Sequence, residues 1–459
     1  MSKITSGRHP PRLRGAPLVG ALVGMRDDYL GTLARAAAEV GPVARIDAGP
    51  PLWRSTIYSI SAPELVESIF GAPERFTKDD PGCREMRRVL GNGMLTSQGS
   101  DWRQQRRRLA PLFTSRRLNT SYAAIMVEEA QRLVRRWLEA ADAGVSVDAN
   151  LELVALASRI VGRILFGSDM AQALPEIVAV TAVNQALLDR TVSPHPVPRW
   201  LPTPANRRLT RGIADIRGVI DDLVQDRRAH PLAGGDDLLD LLLAARDDQR
   251  GGAPLDDREV ADQLVTFLLA GLDTTATTLA CVLVELARSA HWQQVVHDEV
   301  SSVLGGRTPT AADAAQLRWA NRASREAMRL YPASHSLGRR AVRDEVVGGY
   351  RIPARATVVY APWAVHRSPR LWPDPDHFDT GRFDLPEGQV PGGHRYAWMP
   401  FGAGPHTCIG LQVAMLETTL VPAIVLQQLQ LSTTLTAIPV EAAITLKPVG
   451  PLPLRLRRR

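Results

Sequence analysis

The stretch from residue 256 to residue 289 constrains the fold more than any other part of the chain. It opens at Asp256, and Glu259 three residues later completes a capping box. It then continues without a proline, as a helix of roughly 50 Å. Because its middle third is apolar nearly all round, we expect this helix to cross the protein interior. Asp273 in that middle third is then a buried carboxylate, which requires a partner or a function.

The rest of the sequence predicts a mainly α fold with small β-sheets. Apolar residues recur every three or four positions at 122–141 and 151–166, which is typical of helices. The β-branched segments expected to form strands lie at 43–60, 351–360 and 431–456. Five prolines predict a surface loop at 191–205, a candidate lid.

Cysteine usage and apolar segments indicate a cytoplasmic protein without a membrane anchor. The three cysteines form no C-x-x-C pair, which excludes zinc ribbons, thioredoxin-like sites and covalent c-type haem. The apolar stretch at 16–25 is interrupted by proline and glycine and lacks a cleavage site, unlike a signal peptide. Residues 264–283 are long enough to span a membrane, but Asp273 within them makes insertion costly.

The charge of the chain gives little reason to expect a nucleic-acid partner. The formal net charge is +7, from 55 basic and 48 acidic residues, and only three of the basic residues are lysines. The positive charge is spread along the chain, apart from an arginine-rich run at 455–459. A nucleic-acid-binding surface usually needs a denser basic patch.

The sharpest chemical signal is the loop Phe401-Gly402-Ala403-Gly404-Pro405-His406-Thr407-Cys408-Ile409-Gly410. A lone cysteine is usually an inert, small apolar residue. Cys408, however, stands just before the apolar helical stretch at 411–429, where backbone N–H groups and the helix dipole stabilise a thiolate. The glycines allow close approach to a flat ligand. The loop therefore suits a soft metal ion.

The spacing F-x-x-G-x-x-x-C-x-G resembles the haem-binding loop of the cytochrome P450 family. The resemblance implies that Cys408 is the axial ligand of the iron in a non-covalent haem b, and that Phe401 shields its sulfur. The resemblance also implies that Gly404 and Gly410, the two glycines of the family pattern, bind the cofactor.

A second motif, E-x-x-R at Glu326 and Arg329, ends a predicted helix. Alone, such a pair is most often a solvated surface pair. With Arg382 about fifty residues later, it resembles the family's buried network behind the haem loop. Thr380 departs from the pattern, in which a proline is common at that position.

A third motif, A-G-L-D-T-T at 270–275, resembles the family's oxygen-activation sequence. By itself, Thr274 predicts a hydroxyl that bonds back to the carbonyl of Ala270 and bends the helix. The resemblance implies that this bend, beside Gly271, opens a groove for dioxygen, and that Ala270 contacts the cofactor. It also implies catalytic roles for both polar residues, with Thr274 as a proton donor and Asp273 as its proton supply.

Candidate partners for the haem propionates are cationic. Trp102 and Arg106 match the family's W-x-x-x-R element, and Arg339 and His406 occupy its propionate positions. Charge-assisted hydrogen bonds from such groups to carboxylates are strong.

The resemblance covers essentially the whole chain, so it implies one haem-thiolate monooxygenase domain over 1–459, with the long central helix over the haem and no fused reductase. The implied reaction inserts one atom of O2 into an apolar small molecule. Two electrons then come from a ferredoxin and a ferredoxin reductase. We expect an acidic ferredoxin to dock where four arginines gather, namely Arg103, Arg107, Arg108 and Arg395.

By the same resemblance, the substrate pocket is walled by Phe267, Leu268 and Ala270, by residues 333–337 and 86–95, and by the candidate lid. Its few polar groups suit a compact hydrocarbon skeleton, and they comprise Ser334, His335, Ser336, Arg87 and Arg88. The sequence is similar to those of bacterial enzymes that hydroxylate terpenoids in secondary metabolism.

Alternatives remain open at the level of sequence. Arg87 and Arg88 keep a fatty acid possible as substrate, and a steroid or a macrolide also fits the pattern. A haem-thiolate peroxygenase or isomerase shares the fold but does not need Asp273 and Thr274. A silent homologue that activates another enzyme should have lost Cys408.

Overall fold

The computed structural model describes residues 7–167, 197–198, 200–232, 235, 237–247 and 253–459. Most of these residues are helical. The α-helices are α1 (Leu22–Asp27), α2 (Tyr29–Arg35), α3 (Val66–Phe70), α4 (Pro81–Leu90), α5 (Gly99–Leu109), α6 (Ser115–Arg117), α7 (Ala123–Asp142), α8 (Ala149–Phe166), α9 (Pro204–Ala229), α10 (Leu238–Ala244), α11 (Asp257–Arg288), α12 (Ala290–Leu304), α13 (Arg318–Leu330), α14 (Pro362–Val365) and α15 (Leu411–Gln428).

The strands are short and form small sheets. They are β1 (Val43–Ala48), β2 (Ser55–Ile60), β3 (Phe76–Thr77), β4 (Val147–Asp148), β5 (Arg246–Asp247), β6 (Ala253–Pro254), β7 (Leu337–Ala341), β8 (Glu345–Val347), β9 (Tyr350–Ile352), β10 (Thr357–Tyr360), β11 (Leu429–Ser432), β12 (Val440–Ala442), β13 (Leu446–Pro448) and β14 (Pro453–Arg458). The expected mainly α fold with small sheets is confirmed.

The largest sheet has five strands in the order β1-β2-β10-β7-β3. β10 pairs in parallel with β2, with Thr357 opposite Ile57, and the other neighbours pair antiparallel. β11, β14 and β4 form a three-stranded sheet, while β12–β13, β5–β6 and β8–β9 are separate two-stranded pairs. The main sheet thus joins N-terminal strands to the segment that follows α13.

The central helix α11 begins as the sequence predicts. The Asp256 side chain accepts a hydrogen bond from the Glu259 N–H at 2.7 Å, and Glu259 Oε2 accepts one from the Asp256 N–H at 3.1 Å. These reciprocal bonds satisfy two N–H groups that the first helical turn leaves unpaired. The helix ends at Arg288, one residue before the expected boundary.

Burial of α11 divides the helical core into two clusters. Its C-terminal half, including residues 279–286, packs with α7, α8 and α15. Its N-terminal half, including residues 260–272, packs with α9 and α10. Within the described part of the chain, α11 is the one helix long and apolar enough to cross a membrane, but 78% of its most apolar window lies inside the protein. It is a core helix, as expected.

Two expectations from the sequence, one about strand positions and one about the candidate lid, need correction. Strands β7 and β8, at 337–347, lie outside the regions in which the sequence predicts strands. The pairing of β7 with β10 is non-local, and local pattern does not encode it. β8 instead forms a hairpin with β9 through Gly348 and Gly349, a turn signal that the sequence does contain. Of the candidate lid at 191–205, residues 191–196 and 199 lie outside the described residues. Its C-terminal end is helix rather than loop, because Pro204 occupies the first turn of α9, where no N–H is needed.

The E-x-x-R pair at the end of α13 is buried. Arg329 donates to both carboxylate oxygens of Glu326 at 2.7 Å, and neither side chain is exposed. Arg382 Nε lies 3.3 Å from Glu326 Oε1, so the third member of the motif joins the pair. Arg329 also donates to three backbone carbonyls, those of His366, Pro375 and His377. The guanidinium therefore ties α13 to the loops that precede the cysteine loop.

We predict that Glu326→Gln lowers the free energy of unfolding by about 3–5 kcal/mol, because it leaves the Arg329 charge buried without its counter-ion. The urea midpoint of the purified protein measures the loss. Glu39→Gln is the matched control, since Glu39 pairs with Arg35 on the exposed surface of the chain; it should leave the midpoint unchanged. An unaltered midpoint in Glu326→Gln would contradict the stabilising role of the pair.

Candidate active site

The cysteine loop is fixed by contacts with its own backbone and with α3. Cys408 N–H donates to the Phe401 carbonyl at 3.0 Å, and a short 3-10 turn spans Gly404–His406. Gly404 has a φ of +68°, and a Cβ there would lie 2.1 Å from the Phe70 carbonyl oxygen. Only glycine fits this position. The close approach that requires Gly404 is therefore to the protein backbone of α3, not only to a ligand as the sequence suggested.

Cys408 is the accessible one of the three cysteines, whereas Cys83 and Cys281 are buried. Protein atoms nevertheless crowd its thiol, and this burial raises its pKa. The Gly410 N–H and the Arg106 guanidinium act in the opposite direction and favour the thiolate. Gly410, in turn, caps the N-terminus of α15. An accessible sulfur with donors and positive charge beside it is arranged to bind a metal ion.

Helix α5 brings Trp102 and Arg106 to this loop. The rings of Trp102 and His406 lie 4.0 Å apart between centroids. Arg106 Nη1 donates to the Thr407 carbonyl at 3.0 Å. The W-x-x-x-R element and the cysteine loop, which are about three hundred residues apart in sequence, thus contact each other.

Three further cationic or basic groups gather at the same place, and Lys78 was not anticipated from the sequence. Burial lowers the pKa of Arg339 to about 10, of Lys78 to about 8 and of His406 to about 3. Repulsion from Lys78, Arg339 and Arg106 also lowers the pKa of His406. Its Nδ1 is buried and has no hydrogen-bond partner among the described residues. Such a cluster, with an unsatisfied ring nitrogen, fits a group that carries two carboxylates, as haem does.

The central helix is accessible on one face, although most of its middle part is buried. Ala270 is exposed and Thr274, one turn later, is half-buried, while their neighbours Leu269 and Leu272 are buried. Thr274 Oγ1 donates back to the Ala270 carbonyl at 2.7 Å, as predicted. Gly271 lets the helix approach α8, since a Cβ there would lie 3.1 Å from Val161 Cγ2. The accessible face of the helix therefore carries the Thr274 hydroxyl, which is hydrogen-bonded to the helix backbone.

Asp273, next to Thr274, is buried as the sequence predicts, with 5% of its side chain exposed. Lys447 Nζ lies 3.1 Å from its Oδ2. The buried carboxylate thus has a counter-ion, which comes from the C-terminal strand β13.

The polar groups expected around the substrate mostly have partners within the protein. Arg87 donates to the Thr96 carbonyl at 3.0 and 2.6 Å, and Arg88 forms an ion pair with Glu85. Of the other polar groups, His335 is hydrogen-bonded through Nε2 to the Ala443 carbonyl at 2.9 Å, and Ser336 accepts a hydrogen bond from Tyr29. Phe267 and Leu268 are buried in the α11 core. The arrangement leaves few polar groups to clamp a charged substrate.

The structure places the four arginines expected to form a docking surface in three different settings. Arg103 and Arg107 are exposed on the same face of α5. Arg108 is turned away from them and lines a cavity of about 250 Å³ between α5, α10 and α11. Arg395 forms an ion pair with Glu67. Arg103 and Arg107 are thus two members of the expected patch that lie on one exposed helix face.

Comparison with known proteins identifies the family. The family model for cytochrome P450 matches residues 10–449. Cyclooctatin synthase of Streptomyces melanosporofaciens is 34% identical over 415 residues, which cover 90% of this chain and 88% of the relative. Cyclooctat-9-en-7-ol 5-monooxygenase of the same organism is 34% identical over 409 residues, which cover 89% and 86%. Pentalenene oxygenase of Streptomyces avermitilis is 32% identical over 390 residues, which cover 84% of each chain.

A helical fold with an accessible cysteine loop beside a cationic cluster, together with these matches, defines a haem-thiolate monooxygenase. The chain belongs to the cytochrome P450 family. Its cofactor is haem, and its reaction uses O2, a small-molecule substrate and a redox partner. The class predicted from the sequence is confirmed.

We predict that Cys408→Ala abolishes the thiolate-type absorption band of the reduced, carbon-monoxide-bound protein, because no other described cysteine is accessible. Cys83→Ser and Cys281→Ser are the matched controls and should keep the band. A thiolate-type band that survives in Cys408→Ala would show that another group ligates the iron.

Proposed function

We propose that this protein hydroxylates a terpenoid in bacterial secondary metabolism. The support for the substrate class is that three relatives of similar length are named for cyclooctatin, cyclooctat-9-en-7-ol and pentalenene. The lining of the expected pocket agrees with this choice, because its two arginines already have partners within the protein.

The cofactor is haem b, bound without a covalent link. Cys408 would ligate the iron, with Phe401, Gly404 and Gly410 shaping the loop around its sulfur. Arg106, Arg339 and His406 would hold the carboxylates, with Trp102 packed on the His406 ring. When bound, haem supplies the activation of dioxygen. The single observation that carries this assignment is the concentration of cationic groups beside one accessible cysteine.

Two residues of the central helix would handle protons. Thr274 holds a hydroxyl proton on the accessible face of α11, beside Ala270. Asp273 lies next to it in sequence and would replace that proton after each transfer. In this scheme the Thr274 hydroxyl donates a proton, and the Asp273 carboxylate supplies its replacement from solvent.

Electrons would come from a small acidic ferredoxin and its reductase in the cytoplasm. Arg103 and Arg107 offer two exposed charges on α5, the helix that also carries Arg106 into the site. An acidic partner on this face would be close to the cofactor.

We further propose that residues 1–459 form a single domain around this one cofactor site.

Thr274→Ala should keep substrate affinity and the carbon-monoxide spectrum but lower product formed per NAD(P)H by about threefold or more, because it removes a proton donor. Peroxide should account for the lost reducing equivalents. The matched control is Thr278→Ala, which removes the same kind of back-bonded hydroxyl one turn later. Equal coupling in wild type and Thr274→Ala would leave Thr274 only a helix-bending role.

The substrate proposal is tested by titrating the ferric protein with terpenes, steroids, macrolides and fatty acids and recording the spin-state band of the haem. We expect a cyclic terpene or terpene alcohol to give the largest shift, because both arginines expected near the pocket are already paired within the protein. A shift with fatty acids or macrolides and none with terpenes would contradict the proposal. Product analysis with the shifting compound then gives the position of hydroxylation.

A further inference from the structure

The loop between α4 and α5, residues 91–98, is held by two side chains of the central helix that bind its backbone. Asn92 N–H donates to Asp262 Oδ2 at 2.8 Å, and Met94 N–H donates to Gln263 Oε1 at 3.1 Å. Asp262 and Gln263 are both buried. Because both bonds use backbone N–H groups, the side chains of the loop do not have to supply these contacts.

The glycines of the 91–98 loop let its backbone lie directly on α11. Gly91 has a φ of +81°, and a Cβ there would overlap the Asp262 carboxylate. A Cβ at Gly93 would overlap the Thr266 hydroxyl, one turn further along α11. At Gly91, only glycine combines this backbone conformation with so close an approach. The loop is therefore built to fit against this turn of the helix.

The Asp262 carboxylate also binds α9. Its Oδ1 accepts a hydrogen bond from Arg217 Nη2 at 2.9 Å, so its two oxygens hold two different parts of the chain. The same Arg217 nitrogen lies 3.4 Å from the carbonyl oxygen of Val89, in the last turn of α4. Asp262 is the more buried member of this ion pair, with 8% of its side chain exposed against 27% for Arg217. One carboxylate thus joins α9 and the 91–98 loop to the central helix.

Gln263 makes a second link, which leads to α5. Its Nε2 donates to Gln105 Oε1 at 3.1 Å, and Gln105 Nε2 donates to the Asn92 carbonyl at 2.8 Å. Ser97 Oγ donates to the same Gln105 oxygen at 3.1 Å. Both ends of the 91–98 loop are therefore hydrogen-bonded to one glutamine of α5, and Gln263 is hydrogen-bonded to that glutamine as well.

The 91–98 loop also belongs to the apolar surroundings of the cysteine. Met94 is buried and lies in the same apolar cluster as Phe267 and Leu268 of α11. Ile409, next to Cys408 in the chain, packs against this cluster. The expected substrate pocket has Met94, Phe267 and Leu268 in its wall. A shift of the loop would therefore move Met94 relative to the haem site.

We propose that Asp262 and Gln263 are positioning residues that determine where the substrate is oxidised: they fix Met94 in the pocket wall, and Arg217 fixes Asp262. This inference rests on the proposed function, which makes the substrate apolar. An apolar substrate has few polar groups to orient it, so the shape of the wall decides which carbon faces the cofactor. Loosening the 91–98 loop should admit further orientations and yield further products.

The hold on the loop is tested in the haem-loaded enzyme with Asp262→Asn, because the single amide oxygen of asparagine cannot serve both Arg217 and the Asn92 N–H. Arg227→Gln is the matched control, since Arg227 is also on α9 and pairs with a buried aspartate, Asp237, at the start of α10. Hydrogen exchange of a peptide that contains residues 91–98 should be about threefold or more faster in Asp262→Asn and unchanged in Arg227→Gln. Unchanged exchange in Asp262→Asn, or equal acceleration in both variants, would overturn the proposal.

Two iron ligands test the pocket wall without a substrate. Imidazole and 4-phenylimidazole both bind haem iron through nitrogen, but only the larger compound extends from the iron into the pocket. The ratio of their dissociation constants, from titration of the Soret band, should change by about threefold or more in Asp262→Asn and by less than about twofold in Arg227→Gln. A constant ratio in Asp262→Asn contradicts the proposal. Gln263→Met, which removes the acceptor of the Met94 N–H, replaces Asp262→Asn if that variant fails to retain haem.

The position of oxidation is then measured by product analysis with the terpene that gives the largest spin-state shift. The share of the major product should fall by about twofold or more in Asp262→Asn, while Arg227→Gln keeps the wild-type distribution. Identical distributions in wild type and Asp262→Asn would overturn the proposal. A wild-type protein that oxidises none of the tested terpenes would count against the proposed function, while the exchange rates and the ratio of dissociation constants still test how α11 holds the pocket wall.

Discussion

The burial of the central helix is the constraint on which the rest of the structure depends. An apolar helix of 32 residues cannot lie on the surface, so other helices have to cover it along its length. Its two halves accordingly belong to different core clusters. Other parts of the protein cover the central helix less completely at Ala270 and Thr274. The neighbouring polar residue Asp273 is buried and needs a counter-ion. The fold therefore produces the accessible face and the buried charge of the site together.

The cysteine loop depends on long-range contacts in a similar way. Gly404 contacts the backbone of α3, Arg106 binds the Thr407 carbonyl, and Trp102 packs on His406. Behind the loop, the Arg329 guanidinium pairs with Glu326 and donates hydrogen bonds to three backbone carbonyls. A cysteine whose loop is held by fixed neighbours does not have to be ordered when the metal ion binds. This lowers the entropic cost of forming the site.

Sequence reasoning predicted the parts of this protein that local pattern or motif spacing encodes. The capping box, the helical periodicity of α7 and α8 and the burial of Asp273 follow from residues close together in the chain. The pairing of β7 with β10 and the approach of Lys447 to Asp273 depend on residues that only the fold brings together. In the same way, the sequence does not show that Arg395 meets Glu67 or that Arg108 faces a cavity.

A compositional signal could have identified the residues that were missed. Arginine supplies all but three of the 55 basic residues, so each lysine is an exception to the usage of this chain. Arginine suits planar contacts with several acceptors, as Arg329 shows with one carboxylate and three carbonyls. Lysine is a compact point charge whose pKa responds to burial. Lys78 lies among the cationic groups around His406, and Lys447 lies beside Asp273. Both described lysines thus lie beside other charged or basic groups of the site.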